Sequence, residues 1–277
     1  MTREHTDTQL SGTEYEQFRQ RLEALSGILL GDGKEYLVVS RLRKIMRDKG
    51  LPSLTELMYC MERDRRFQSV VVDAMTTNET LWLRDGHPFE ILSKHIYPAL
   101  AEQGSPIRIW SSACSTGQEP YSIKLTELDF RQQSGQRLPA VSILATDLSD
   151  TALEAAKQGR YPWMAIRRGM PEIALNKYFE KTGEDEWCVG PELRAGIDFR
   201  NFNLNDSYTR LGNFDVIFCR NVLIYFSSER KREILQKMHA ALKPGGFLIL
   251  GASEALSGLA NEFEMISCNP GIMYRKK

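Results

Sequence analysis

From residue 107 onward, short apolar runs alternate with stretches of helical periodicity, and this alternation restricts the chain to a narrow set of folds. The runs are IRIWSSA (107–113), VSILATD (141–147), IDFRNFN (197–203), FDVIFCR (214–220) and GFLILGA (246–252). Helical patterns at 119–133, 150–158 and 228–242 lie between them. Strands joined through helices run parallel, and a parallel sheet needs helices on both faces, so the pattern predicts an α/β, doubly wound sheet. LKPGG at 242–246 reads as a helix stop followed by a strand start. One segment breaks the rhythm. Residues 177–200 (KYFEKTGEDEWCVGPELRAGIDFR) hold short apolar pieces around Thr182-Gly183 and Gly190-Pro191. They read as an antiparallel hairpin inserted into the sheet domain, a disordered crossover loop being the other reading.

Upstream of this region the texture is helical. Phe18, Leu22, Leu25 and Leu29 recur at helical spacing, and Leu37, Leu42, Ile45 and Met46 start a second stripe that stops at Gly50. Ser53 with Glu56 three positions on opens a further short helix through Arg63. The expected organisation is a small all-helical domain (1–75), a linker and connecting helix (76–105) and the sheet domain (106–277). The 277 residues carry 36 Lys and Arg against 36 Asp and Glu. The whole molecule therefore has no electrostatic footprint for nucleic acid or an anionic membrane. The polar start MTREHTDTQL and the lack of any apolar run of about 18 residues predict a cytoplasmic protein without membrane insertion. The five cysteines are scattered, with neither C-x-x-C nor Cys/His pairing, which argues against a metal site.

Ligands of an open α/β sheet bind beyond the C-terminal ends of its strands. The first strand ends in SSACSTGQEPYS (111–122), where small residues around Gly117 let backbone approach a ligand. Neither G-x-G-x-x-G nor G-x-x-x-x-G-K-[ST] is present, which counts against a dinucleotide enzyme and an NTPase. Asp147 closes the second strand, where such folds set an acidic residue on ribose hydroxyls; helix capping is its plainer role. FCRNVLIYFS sets Arg220, Asn221 and Tyr225 at the same edge. TTNETLWLRD (76–85) alone is a polar linker.

Taken in order, TTNETLWLRD, SSACSTGQEPYS, ATDLS, FCRNVLIYF and LKPGGFLILGASEAL behind a helical unit closely resemble the bacterial chemotaxis protein methyltransferases, which methylate glutamates on chemoreceptors. The resemblance runs from about residue 15 to the end. It implies a class I fold that takes S-adenosylmethionine (SAM) and releases S-adenosylhomocysteine, with a small all-helical N-terminal domain and an inserted antiparallel β-subdomain. Carried over residue by residue, it implies that Asn78, Thr80, Arg84, Glu119, Asp147, Asn203, Leu204, Arg220 and Asn221 bind the cofactor, and that Arg84 and Tyr225 lie nearest the transferred methyl. A receptor glutamate, whose side chain ordinarily titrates at about 4.3, is already ionised at neutral pH and needs no general base.

Residues 34–49 hold six basic and two acidic side chains, a local net of +4. Arg41, Lys44 and Arg47 follow one another at three-residue steps opposite Leu42, Ile45 and Met46. A solvated face is the plain reading; under the resemblance, the ridge docks the acidic cytoplasmic helical bundle of a chemoreceptor. The resemblance also implies that enteric members bind an aromatic pentapeptide at the receptor C-terminus through the β-subdomain. The hairpin here is a few residues shorter, so an enzyme independent of the pentapeptide is expected. The rival readings are a SAM-dependent methyltransferase of a small molecule or RNA, and a non-catalytic SAM-binding scaffold.

Overall fold

The computed structural model describes residues 10–277. The polar segment 1–9, part of the stretch read as lacking a secretory signal, lies outside the described residues. The chain forms two compact units, one of the residues up to Thr77 with Tyr225–Ser227, the other of the remainder.

The helical unit contains α1 (Gly12–Ser26), α2 (Glu35–Lys49), α3 (Leu54–Arg63) and α4 (Arg65–Met75). Each boundary has a local cause. Ser11 and Glu14 form a reciprocal capping box on α1, and Gly27, at φ 79°, ends it. The Ser53 hydroxyl accepts the Glu56 N–H at the head of α3. One Asp64 carboxylate oxygen accepts from Arg66 and Phe67 at the head of α4. Phe18, Leu22, Leu42, Leu54, Leu57 and Val71 are buried between the helices. Leu29, expected to extend the first stripe, lies beyond the Gly27 stop and is 44% exposed.

In the second unit α5 (His87–Ile91), a π turn (Leu92–Ile96) and α6 (Tyr97–Gln103) make one helical run into β1 (Ile107–Ser111). Then follow α7 (Gln118–Gln133), β2 (Val141–Asp147) and α8 (Asp150–Gln158). After these come β3 (Arg160–Pro162), α9 (Trp163–Ile166), α10 (Glu172–Tyr178), β4 (Phe179–Lys181), β5 (Glu186–Val189) and α11 (Pro191–Arg194). The chain finishes with β6 (Ile197–Asn201), β7 (Phe214–Cys219), α12 (Ser228–Ala241), β8 (Leu242–Leu250), β9 (Phe263–Ser267) and β10 (Ile272–Lys276). The main sheet runs β6-β2-β1-β7-β8-β10-β9. Its first five strands in that order are parallel, and β10 is antiparallel to both β8 and β9. From β1 the chain builds outward to β2 and β6 on one side and then to β7 and β8 on the other. The switch point, where a crevice opens at the strand ends, therefore lies between β1 and β7. Ile109, Ile143, Val216, Phe218 and Ile249 fill the core beneath it, closed by Phe89, Leu92 and Ile96.

Four details depart from the sequence expectation. The small antiparallel sheet has the order β3-β5-β4, so it begins at Arg160, well before 177. Ile197–Asn201 pairs with β2 from Ile143 to Asp147 in the main sheet, as the apolar run 197–203 implied, so the insertion ends before the expected bound of 200. Strand β8 begins at Leu242 instead of Gly246, accommodated by a register shift between Phe214 and Val216. The β9–β10 hairpin was not expected at all.

Residues 78–85 are no linker. Trp82 is 1% exposed, with Tyr161 and Phe179 edge-on to it at centroid distances of 4.9 and 5.3 Å. The backbone of Gly169, at φ 108°, closes over it, and a Cβ there would overlap the Trp82 carbonyl oxygen. Gly169→Ala should therefore lower stability by at least about 2 kcal/mol, from backbone strain and overlap together. Gly135→Ala, at φ 66° in open space, should cost only about 1 kcal/mol. Equal shifts of the urea midpoint in the two variants would contradict the Trp82 anchor.

Candidate functional site

At the end of β1 the chain turns through Ser111–Gly117 into α7. Gly117 stands at φ 96°, and a Cβ there would meet Ala156 Cβ at 2.9 Å and the Tyr161 hydroxyl at 3.0 Å. Only glycine supplies both the left-handed backbone and the close approach. The Ser115 N–H donates to Asp147 Oδ2 at 2.7 Å, and the Ser115 hydroxyl donates to the Asn78 carbonyl at 2.8 Å. The loop is thereby fastened both to the end of β2 and to the 78–85 segment.

Asp147 is 8% exposed, and its second oxygen accepts the Ser149 N–H at 2.9 Å. The helix cap of α8 is Ser149, whose hydroxyl accepts from Ala152. The capping role weighed for Asp147 therefore falls to its neighbour. Phe202 N–H donates to the Asp147 carbonyl at 2.9 Å, which sets Asn203 and Leu204 beside the aspartate. Asn203 Oδ1 accepts the Asn205 N–H, and buried Leu204 receives the Tyr208 hydroxyl on its carbonyl at 3.0 Å. Tyr208 in turn stands edge-on to Trp110 at 5.1 Å.

An ionic chain, buried at Glu119 and Arg220 and reaching solvent at Asp85, crosses the switch point. The Ser111 hydroxyl donates to Glu119 Oε1 at 2.7 Å, and Arg220 Nη1 donates to Glu119 Oε2 at 2.9 Å. Arg220 Nη2 donates to Asp85 Oδ2 at 2.8 Å and to the Arg84 carbonyl at 2.7 Å. The Arg220 side chain is only 1% exposed. Both Nη atoms of its guanidinium are thus held by the protein's own acceptors, while the buried Nε has no hydrogen-bond partner among the described residues. Arg84 is held by its backbone, and its Nη1 donates to the Glu79 carbonyl at 3.1 Å. Asn78 Nδ2 donates to the Ser149 hydroxyl at 3.3 Å, and partly buried Thr80 lies between Asn78 and Arg84. Asn221 follows β7 at φ 58°. Burial, reinforced by the charges of Asp147 and Glu119, pushes the Cys114 thiol well above the ordinary range, so it stays protonated and unreactive.

Tyr225 belongs to the helical unit, where its carbonyl accepts the Leu29 N–H at 2.8 Å. In the same unit Arg41 leaves the predicted ridge. Its Nη1 donates to the carbonyls of Met75 and Thr76, and its Nη2 to the Thr77 hydroxyl. The last carbonyls of α4 have no intrahelical donor, and Arg41 satisfies them. Lys44 and Arg47 remain exposed, Arg47 with 72% of its side chain accessible. Sequence reasoning missed Ser115, Ser149, Trp82 and Glu254, whose partners are distant in the chain. For Glu254 the available signal was a carboxylate in the turn after a strand rich in glycine.

The donor set suits SAM: carboxylates in the crevice match a cation bearing sulfonium and ammonium, a strand-end aspartate matches ribose hydroxyls, and Leu204 offers an apolar face. Arranged on a doubly wound sheet, these groups define a SAM-dependent methyltransferase. The family model for the CheR methyltransferase SAM-binding domain matches residues 78–272, and that for the CheR all-alpha domain matches residues 13–76. "Chemotaxis protein methyltransferase Cher2" of Pseudomonas putida is 50% identical over 269 residues, 95% of this chain and 98% of that one. "Chemotaxis protein methyltransferase 1" of Pseudomonas aeruginosa is 50% identical over 96% of this chain and 99% of its own. The Salmonella typhimurium chemotaxis protein methyltransferase is 34% identical over 92% and 88%. The chain belongs to the CheR methyltransferase family.

Replacing Arg220 by Met should cost about 3 kcal/mol, because buried Glu119 would lose its cationic partner and keep only the Ser111 hydroxyl, whereas Asp85, with 34% of its side chain exposed, can turn to water. The exposed Arg160–Glu186 pair, broken by Arg160→Met, should cost no more than about 1 kcal/mol. Chemical denaturation of the two variants checks the contrast.

Proposed function

We propose that the protein transfers the methyl group of SAM to glutamate side-chain carboxylates of chemotaxis receptors, giving glutamate methyl esters. The carrying observation is that both the SAM-binding and the all-alpha domains of the CheR family match, and that chemotaxis protein methyltransferases are 50% identical over nearly the whole chain. In this reading Asp147 accepts the ribose hydroxyls, Asn203 and Leu204 hold adenine by edge and face, and Asn78, Thr80, Glu119 and Asn221 line the remainder. Arg220 acts at one remove, fixing Glu119 and the backbone of Arg84. When bound, SAM supplies an electrophilic methyl group. The acceptor carboxylate is a competent nucleophile without a base, so the work of Arg84 and Tyr225 is alignment, for which the ceiling is about 7–11 kcal/mol. Arg84 docks the carboxylate, and Tyr225 fixes its angle by one hydrogen bond.

The direct test is radiolabelled methyl transfer to receptor-containing membranes followed by alkaline release of labelled methanol, the mark of a carboxyl ester. Arg84→Ala should abolish most of the release. Tyr225→Phe should lower kcat with SAM affinity little changed, as expected for an interaction made only in the transition state. Label that is stable to alkali, or found only on RNA, would replace the glutamate reading.

The receptor's acidic methylation helices are read as docking on Lys44 and Arg47, what remains of the ridge once Arg41 is engaged with the end of α4, and without the receptor's C-terminal pentapeptide. Exposed charges of this kind bind weakly and are screened by salt. Lys44→Glu with Arg47→Glu should raise the receptor KM and flatten its salt dependence while leaving the melting temperature in place. Arg41→Ala should do the reverse, lowering the stability of the helical unit by about 1–3 kcal/mol through unsatisfied carbonyls. A KM unmoved by the double reversal would return these residues to plain solvation.

A further inference from the structure

The loop that follows β7 is organised by a residue to which neither the sequence motifs nor the cofactor reading assigns a task. Glu254 accepts four backbone N–H bonds: from Asn221 at 2.8 Å, Val222 at 2.9 Å, Leu223 at 2.7 Å and Gly251 at 2.8 Å. Three consecutive N–H groups converging on one point make an anion-binding concavity, and here the protein fills it with its own carboxylate. That convergence depends on Asn221 adopting φ 58°, a left-handed conformation that asparagine tolerates better than other side chains. The glycine across the gap is equally constrained. A Cβ at Gly251 would stand 2.6 Å from Glu254 Oε2, 2.9 Å from the Asn221 nitrogen and 3.2 Å from Asn221 Nδ2. The missing side chain thus leaves room for both the carboxylate and the Asn221 amide. The return path is short, because the Glu254 N–H donates to the Gly251 carbonyl at 2.9 Å. The carboxylate therefore sits on a tight turn at the end of β8 and reaches across to the end of β7.

We propose that Glu254 is a positioning residue of the cofactor site: by gathering the N–H groups of residues 221–223 it holds Asn221 in the one backbone conformation that presents its side chain to SAM. The proposal rests on the reading of Asn221 as a cofactor residue. A carboxylate suits the task where an amide would not. Both its oxygens accept, whereas the NH2 of glutamine would face N–H donors and repel them. Bonds from N–H to a charged acceptor are also shorter and stronger than neutral ones, which sharpens the conformation they impose.

The test is a double-mutant cycle read by binding of S-adenosylhomocysteine, measured calorimetrically on the full chain, with amide exchange as a second readout. Glu254→Gln should weaken binding about tenfold or more, the loss expected for hydrogen bonds to a charged group. Asn221→Ala should weaken it comparably, and the double variant should bind about as poorly as the weaker single one, because the two act through one contact. In Glu254→Gln the amides of residues 221–223 and 251 should exchange much faster than in wild type, while those of β1 and β7 stay protected. Should Glu254→Gln not fold, Gly251→Ala, which keeps the charge but crowds the carboxylate, should show the same loss of affinity.

Wild-type affinity in Glu254→Gln, or losses that multiply in the double variant, would overturn the positioning role. Failure of both Glu254→Gln and Gly251→Ala to fold would do so as well, making Glu254 a determinant of the fold alone. Unchanged affinity in Asn221→Ala would instead overturn the cofactor assignment of Asn221 on which the proposal stands.

Discussion

The catalytic unit is organised around one enclosed cation. Arg220 follows β7, Glu119 stands in the first turn of α7, and Asp85 closes the segment that precedes α5, three stretches far apart in sequence. Removing a guanidinium from water is costly, and it is stable here only because two carboxylates and the Arg84 carbonyl surround it. The cation thereby fixes relative positions that apolar packing would leave loose, since hydrophobic contact is not directional. Glu119 is further favoured by its place at the helix N-terminus, where the peptide dipoles attract negative charge. The 78–85 segment can be polar and still ordered because it is fastened at one end by this network and in its middle by Trp82.

The same logic explains what was readable in the sequence. Strands β1, β2 and β7 are buried on both faces, so they appear as continuous apolar runs between helices, and their expected and observed bounds differ by two residues at most. Helix ends were legible where the signal is local, as at Ser53 and Gly50. The β9–β10 hairpin left no such trace. Four of the five residues of β9 are at least partly exposed, and its segment FEMIS lacks a clear apolar run. Strand β3, three residues long, carries one buried side chain, Tyr161, and is a strand only because β5 pairs with it. That pairing is long-range, and no local pattern encodes it.

Functional residues divide in a similar way. Glycine and carboxylate positions at strand ends could be singled out because topology predicts where strands end. Their partners could not. Arg41 illustrates the limit: helical spacing set it on a common stripe with Lys44 and Arg47, yet it turns to the carbonyls of residues 75 and 76 while the other two stay in water. Periodicity assigns a face, whereas the fate of a charged head depends on which unsatisfied acceptors lie within its reach. Glu254 is the acidic counterpart, a turn residue whose importance appears only when the N–H groups of residues 221–223 are seen to converge on it.

A division of labour between two kinds of charge follows. Glu119, Asp147 and Arg220 at the strand ends are enclosed, each with a partner at 2.7–2.9 Å, and the energies at stake there are several kcal/mol because a lost partner leaves a desolvated ion behind. Lys44 and Arg47 in the helical unit are solvated and interact at the scale of about 0–1 kcal/mol each. If the protein methylates receptor glutamates as proposed, that asymmetry is useful. Strong, rigid contacts keep the cofactor in one geometry, while weak, screened ones let an acidic helix arrive quickly and leave once modified. Esterification removes a negative charge from a carboxylate, so under the proposed docking each methyl transferred would weaken attraction to Lys44 and Arg47. On the proposed reading, release of the modified receptor is thus favoured by the chemistry itself, with no conformational change required of the enzyme.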